Sequence, residues 1–169
     1  MNEAVNIRVT VNGEVRSHSV APRETLADFL RNALELTGTH TGCEMGACGA
    51  CLVLLDGQIV HSCLIFAVQA DGAVVETIEG LAQRKAIAEL QEAFHQRNAL
   101  QCGFCTPGVL MTAYGVLARP GVPSRNEIRD ALSGNYCRCT GYEAIVDAIE
   151  TAARRRAEAA AEPEPETAP

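Results

Sequence analysis

Residues 42–51 read Gly42-Cys43-Glu44-Met45-Gly46-Ala47-Cys48-Gly49-Ala50-Cys51. The segment places three cysteines at the spacing C-x4-C-x2-C, and a fourth cysteine, Cys63, follows Cys51 after eleven residues. Four thiolates suit a tetrahedral zinc ion, or a two-iron two-sulfur cluster with two thiolates on each iron. The three glycines let the backbone wrap tightly and aim N–H groups at the sulfurs, which stabilises an anionic centre.

The spacing of this first quartet favours the cluster. C-x4-C-x2-C with a more distant fourth cysteine is typical of plant-type ferredoxins, whereas zinc sites usually combine C-x2-C pairs. A predicted hairpin accounts for the distance to the fourth ligand, because Asp56-Gly57 between two apolar runs is a strong two-residue turn signal. If Leu55 pairs with Gln58, counting outward makes Cys51 and Cys63 near neighbours at the open end of the hairpin. We therefore expect a [2Fe–2S] cluster here.

A second quartet reads C-x2-C-x31-C-x-C, and 38 residues separate it from the first. Its members are Cys102, Cys105, Cys137 and Cys139. In an extended segment, residues i and i+2 point the same way, so C-x-C presents two thiolates to one centre. A zinc site also combines C-x2-C with a distant pair, so the spacing alone leaves zinc and a cluster open.

Composition narrows the class of protein. The 169 residues are 47% hydrophobic and 21% charged, which is ordinary for a globular chain. A net charge of −7 and a pI near 5.1 argue against nucleic acid as a partner. No long apolar run and no leader peptide is recognisable, so we expect a cytoplasmic protein with no membrane contact. Cytosolic thiols stay reduced, so eight cysteines indicate metal or redox chemistry rather than disulfides.

The first 80 residues are predicted to form a small mixed sheet packed on one helix. Alternating apolar residues over 7–11 and the pair Asn12-Gly13 predict a hairpin whose second strand ends at Val20. Apolar residues at helical spacing predict a helix over 26–36, and residues 74–78 read as a closing strand.

The hydrophobic period changes in the second half. Four helices are predicted, over residues 84–97, 106–118, 124–133 and 140–153. Thr106-Pro107 reads as an N-cap followed by proline at the first helical position, and Ser124-x-x-Glu127 and Thr140-x-x-Glu143 read as capping boxes. Two helix N-termini then lie beside the second quartet, where their dipoles favour thiolates. The predicted domains are 1–80, 81–156 and a disordered tail, 157–169, that contains only Ala, Glu, Pro and Thr.

Three segments carry a resemblance to a known family. They are residues 42–63 with the first quartet, Gln101-Cys102-Gly103-Phe104-Cys105-Thr106-Pro107-Gly108, and Asn135-Tyr136-Cys137-Arg138-Cys139-Thr140-Gly141-Tyr142. Over residues 5–155 the chain resembles the small iron–sulfur subunit of the xanthine oxidase, or molybdenum hydroxylase, family. It is similar to the small subunits of carbon monoxide dehydrogenase and of bacterial aldehyde and N-heterocycle dehydrogenases.

The resemblance implies an α+β fold, with an N-terminal β-grasp, plant-type ferredoxin-like domain and a C-terminal four-helix bundle. It implies that each domain holds a [2Fe–2S] cluster, so the second quartet is also a cluster site. A large subunit would bind molybdenum on a pterin and hydroxylate the substrate. Electrons would pass through the bundle cluster and then the ferredoxin-like cluster to FAD on a medium subunit. The usual assembly in the family is a dimer of heterotrimers.

Individual residues follow from the same resemblance. Gln101 matches the family's pterin-side glutamine, and Cys139 matches the ligand nearest the pterin, so both are expected to contact a cofactor held mainly by the partner. The chain departs from the family at Glu143, where glutamine is common, and the extra charge is expected to lower the potential of the second cluster slightly. Phe104, between two ligands, is predicted to shield that cluster from water.

Three functions are therefore compared. The leading one is the electron-transfer subunit of a molybdenum hydroxylase, with catalysis on the partner, because this chain shows no convincing nucleophile–base pair or open metal position. A free-standing two-cluster ferredoxin is the first alternative. A zinc-stabilised interaction module is the second alternative.

Overall fold

The computed structural model describes residues 3–161. Five strands form one mixed sheet in the N-terminal half: β1 (Val5–Val11), β2 (Glu14–Val20), β3 (Leu52–Leu55), β4 (Gln58–His61) and β5 (Val74–Glu76). Their order across the sheet is β2-β1-β5-β3-β4. β1 and β5 are parallel, and the other neighbouring strands are antiparallel.

Both predicted hairpins are confirmed. Asn12-Gly13 joins β1 to β2 with φ values of 51° and 85°, which the primed two-residue turns require. Asp56-Gly57 joins β3 to β4 with φ values of 49° and 78°. Leu55 pairs with Gln58, so the register assumed for the second hairpin is correct.

The helix between β2 and β3 is shorter than predicted. Its first part, α1, spans Leu26–Asp28 and continues as a π-helical turn over Phe29–Ala33. The Leu34 N–H donates to the Phe29 carbonyl at 3.2 Å, the i→i+5 bond of a π turn. Glu35 then has a φ of 57°, outside the helical region, so the predicted continuation to residue 36 is wrong.

The closing strand also ends early. The Thr77 N–H donates to Asn12 Oδ1 at 2.9 Å instead of to a neighbouring strand. Ile78, predicted to be the last residue of the strand, is instead the first residue of α2, which spans Ile78–Gln83. The segment 74–78 therefore contributes to a strand and to a helix.

The C-terminal half is helical, with more helices than the four predicted. After α2 come α3 (Ala88–Gln96), α4 (Thr106–Leu117), α5 (Arg125–Ala131) and α6 (Glu143–Ala161). Lys85, with a φ of 57°, separates α2 from α3, so the single helix predicted over 84–97 is wrong at its start. Within residues 3–161, no helix is long and apolar enough to cross a membrane.

The two predicted capping boxes have different outcomes. The box at the start of α5 is confirmed, since the Glu127 N–H donates to Ser124 Oγ at 3.3 Å and the Ser124 N–H donates to Glu127 Oε2 at 2.7 Å. The box at Thr140 is absent. Thr140 Oγ1 accepts from the Tyr142 N–H at 3.2 Å, and Tyr142 has a φ of 70°, so α6 begins only at Glu143.

The last helix is longer than predicted. α6 continues to Ala161, so the predicted disordered tail is wrong over residues 157–161. Those five residues are four alanines and one glutamate, which have high helix propensity. The remaining part of that prediction, residues 162–169, lies outside the described residues.

Two apolar cores lie on opposite faces of β3. Successive residues of a strand point to opposite faces, and Val53 packs in the sheet core with residues such as Phe29 and Leu30. Leu52 and Leu54 instead pack in the helical core, which includes side chains of α3, α4, α5 and α6. The sheet and the helices are therefore joined through a shared strand.

Candidate metal centres

The first quartet lies between α1 and the short turn that follows β4. Cys43 and Cys48 are half-buried in the glycine-rich loop, whereas Cys51 and Cys63 are only 2% and 8% exposed. Strand pairing ends with Leu52 opposite His61, so neither Cys51 nor Cys63 is part of the ladder itself. A 3₁₀ turn over Ser62–Leu64 then carries Cys63 back towards Cys51.

Contacts confirm that Cys51 and Cys63 are neighbours. Ser62 donates to the Cys51 carbonyl through its N–H at 3.2 Å and through its hydroxyl at 2.7 Å. The Cys63 thiol contacts the Cys51 thiol, and burial is the main cause that raises the pKa of Cys63 to about 11. The open end of the hairpin therefore presents two thiols together, as its register predicts.

Backbone N–H groups surround Cys43, at the other end of the quartet. Its sulfur accepts from the Ala47 N–H at 3.3 Å and from the Cys48 N–H at 3.4 Å. Backbone donors, that of Met45 first, lower the pKa of Cys43 to about 7. The loop therefore stabilises negative charge on sulfur, as the glycine content predicts.

The second quartet combines the loop before α4 with the loop between α5 and α6. Cys105 is the residue before α4, so the helix begins at Thr106, which is its first residue rather than its N-cap. The sulfurs of Cys102 and Cys139 lie 3.6 Å apart on the surface. Cys105 and Cys137 are half-buried and in contact, and burial raises the pKa of Cys105 to about 12.

The thiols fit a two-iron cluster because they approach each other in pairs. The pairs are Cys43 with Cys48, Cys51 with Cys63, Cys102 with Cys139, and Cys105 with Cys137. Each quartet thus supplies two pairs, and a [2Fe–2S] cluster takes two thiolates on each iron. Among residues 3–161, no group of three or more His, Cys, Asp or Glu side chains surrounds a single-ion site.

Gln101 and Cys139 are both exposed, and the Cys139 sulfur lies beside that of Cys102, the residue that follows Gln101. Their side chains are therefore open to a group outside this chain. The contact with a partner-held pterin that the resemblance implies stays a prediction.

Sequence reasoning missed a contact between the two cysteine loops. The rings of His40 and Phe104 stack with centroids 4.8 Å apart and an interplanar angle of 20°. His40 Nδ1 also lies 2.7 Å from the Phe104 carbonyl oxygen. The two residues lie 64 positions apart in the sequence, and no spacing between them indicates the contact.

The loops also touch through backbone. A Cβ on Gly108, in the first turn of α4, would overlap the carbonyl oxygen of Gly49. Gly49 itself has a φ of 70°, and a Cβ there would overlap the Gly134 carbonyl oxygen. Only glycine permits these two approaches, so these positions hold the quartets close together.

Comparisons with known proteins agree with this geometry. The 2Fe-2S iron-sulfur cluster binding domain model matches residues 9–82, and the [2Fe-2S] binding domain model matches residues 77–150. The chain is 51% identical to caffeine dehydrogenase subunit gamma of Pseudomonas sp. (strain CBB1), over 86% of this chain and 89% of that subunit. It is 52% identical to the nicotine 6-hydroxylase small subunit of Paenarthrobacter nicotinovorans, over 88% and 89% of the two chains.

The chain belongs to the xanthine oxidase family, as a small iron–sulfur subunit. A solved structure of quinoline 2-oxidoreductase from Pseudomonas putida 86 superposes with a TM-score of 0.85 and 51% identity, covering 92% of this chain and 99% of the matched chain. The aldehyde oxidoreductase of Desulfovibrio gigas superposes with a TM-score of 0.83 and 42% identity, but this subunit corresponds to only 17% of that longer chain.

Membership establishes the general role of this small subunit. It is the electron-transfer subunit of a multi-subunit molybdenum hydroxylase or dehydrogenase and carries two [2Fe–2S] clusters. The catalytic site lies on another subunit. Nothing in the comparisons favours a free-standing ferredoxin or a zinc module.

Proposed function

We propose that the first quartet holds one [2Fe–2S] cluster and the second quartet holds the other. The first set of ligands is Cys43, Cys48, Cys51 and Cys63, and the second set is Cys102, Cys105, Cys137 and Cys139. The observation that carries the assignment is the approach of the eight thiols in four pairs, one pair for each iron. When bound, each cluster supplies one-electron redox chemistry.

The protein residues set the environment of that chemistry. The Ala47 and Cys48 N–H groups donate to the Cys43 sulfur, and hydrogen bonds to sulfur tune the potential of a cluster. Burial of Cys51 and Cys63 excludes water from one side of the first site. Thr140 Oγ1 lies 3.1 Å from the Cys137 sulfur, so the second site also has a polar neighbour.

We further propose that electrons enter at the second quartet and leave from the first. Gln101 and Cys139 are exposed and would contact the molybdenum–pterin cofactor held by a large subunit. The first quartet would pass electrons to FAD on a medium subunit, in a dimer of heterotrimers. In fold terms, we assign the sheet half to a β-grasp domain and the four longest C-terminal helices to a four-helix bundle.

Substrate choice belongs to the large subunit in this proposal. Relatives named for caffeine and for nicotine are 51% and 52% identical to the chain, and the aldehyde oxidoreductase of Desulfovibrio gigas is 42% identical. Small subunits this similar therefore occur beside very different substrates. This chain contributes electron transfer and cofactor contact, without a substrate-binding residue of its own.

The test is to measure iron and acid-labile sulfide in anaerobically purified complex, with EPR after dithionite reduction. We expect the iron of both clusters and two distinct signals. Serine substitution within either quartet is expected to remove one signal and its iron while retaining the other. Zinc without iron in protein shielded from air, or loss of the same signal from substitutions in both quartets, would overturn the assignment.

A further inference from the structure

The segment that precedes Cys137 is bonded to the loop of the first quartet. The Tyr136 N–H donates to the Cys48 carbonyl at 2.9 Å, so one backbone hydrogen bond joins a member of the first quartet to the residue that precedes Cys137 of the second. Asn135, one residue earlier, is 2% exposed. Its amide lies 3.4 Å from the Gly49 carbonyl, and its Oδ1 accepts from the Thr112 hydroxyl at 2.8 Å.

Asn135 therefore connects three elements through one buried side chain. Its donor reaches the loop of the first quartet, and its acceptor reaches α4, which begins directly after Cys105. Its own backbone leads within two residues to Cys137. Removing the amide would leave a buried carbonyl and a hydroxyl without their partner, which costs free energy unless the loops move.

We propose that Asn135 is a positioning residue for both clusters at once. The inference rests on the proposed assignment of Cys48, Cys105 and Cys137 as ligands. Asn135 contacts no ligand sulfur itself. It holds the carbonyl of Gly49, next to Cys48, against the segment that carries Cys137, and thereby fixes the position of one ligand loop relative to the other.

Close backbone packing between the two loops makes the position of each depend on Asn135. Gly49 and Gly134 approach so closely that a Cβ on Gly49 would overlap the Gly134 carbonyl, so the two loops are packed backbone against backbone. We therefore expect a change at Asn135 to displace both loops. Substitution of Asn135 is therefore predicted to change the midpoint potentials of both clusters together.

The experiment replaces Asn135 with leucine, which is close in size and has no amide, in the assembled complex. Thr112→Val removes one of the two bonds and keeps Asn135. Ile128→Val is the matched control, because Ile128 is fully buried in the same helical core but bonds to neither loop. The readouts are iron content, melting temperature, the two EPR signals with the magnetic interaction between them, and both midpoint potentials.

We expect Asn135→Leu to shift both midpoint potentials and to change the magnetic interaction between the reduced clusters. Thr112→Val should produce a smaller shift in the same sense, and Ile128→Val should lower only the melting temperature. A shift confined to the second cluster, or no shift in a variant with full iron content, would overturn the inference. If the complex does not assemble with Asn135→Leu, the shifts of the two midpoint potentials in Thr112→Val test the inference by the same criteria. Absence of iron from the wild-type complex would instead contradict the proposed function.

Discussion

Buried thiols complete the first quartet, whereas exposed thiols complete the second. Cys51 and Cys63 are buried at the open end of a hairpin, Cys63 within a 3₁₀ turn, while Cys102 and Cys139 meet on the surface. The difference arises from the supporting elements, because strands of a sheet cover one face of the first site and loops before two helices leave the second site open. One chain therefore presents an enclosed site and an accessible site side by side.

The largest expected effect is a difference in folding stability between variants that lose the first cluster and variants that lose the second. Cys51→Ser should remove the first cluster and lower the free energy of unfolding by several kcal/mol, because a buried metal centre contributes to folding directly. Cys102→Ser should remove the second cluster with a smaller loss, because its ligand lies on the surface. Iron analysis and thermal unfolding of both variants check this, and equal losses of stability would contradict the comparison.

A smaller effect is expected where the two sites meet. In Gly108→Ala, the new Cβ overlaps the Gly49 carbonyl oxygen, and overpacking should lower stability by about 1–3 kcal/mol. Gly115→Ala is the control on the same helix, since its Cβ would meet only the end of the Ile59 side chain, which can rotate. We expect the control to stay within about 1 kcal/mol of wild type in denaturant unfolding. If Gly115→Ala lowered stability as much as Gly108→Ala, the overlap with Gly49 would not be the cause of the loss.

Phe104 tests how the accessible site is protected. The side chain is 48% exposed, so the predicted shielding can only be partial, and its ring stacks on His40. Phe104→Ser should speed the loss of the second EPR signal in air, and Phe104→Leu should restore most of the protection. The decay of both signals is followed in parallel, and unchanged air stability and potential in the serine variant would count against a shielding role.

The smallest effect is expected at Glu143. Its carboxylate accepts from Arg125 and from Arg129, each at 3.0 Å, and these cations lower its pKa, the hydrogen bond from Arg129 being the main cause. Neighbouring positive charge offsets the carboxylate, so Glu143→Gln should raise the potential of the second cluster only slightly. Redox titration followed by EPR measures it, with the first cluster as internal reference. An unchanged or lower potential would refute the electrostatic effect.

Turn signals in the sequence predicted both hairpins, because a two-residue turn depends only on the residues that form it. Asn12-Gly13 and Asp56-Gly57 indicate both hairpins and, through the second, the meeting of Cys51 and Cys63. Helix boundaries were predicted less well, because the positive φ at Lys85 keeps residues 84–87 out of the helix predicted over 84–97.

The capping box expected at Thr140 failed for a different reason, which belongs to the site itself. The Thr140 hydroxyl lies beside the Cys137 sulfur and accepts from Tyr142, so it is unavailable as a helix cap. Contacts across the chain, such as Asn135 with Gly49, were beyond prediction. They depend on how two separately patterned halves pack, and no spacing within either half encodes that.

The shared strand β3 limits how this protein can be rearranged by recombination. Its Leu52 and Leu54 side chains belong to the helical core, while Val53 belongs to the sheet core. A chimaera that replaces the sheet half with an unrelated ferredoxin would leave the helices with an unfilled hydrophobic face. Exchange between relatives should therefore succeed when the graft carries β3 together with its matching helices, which means moving the two halves as a single unit.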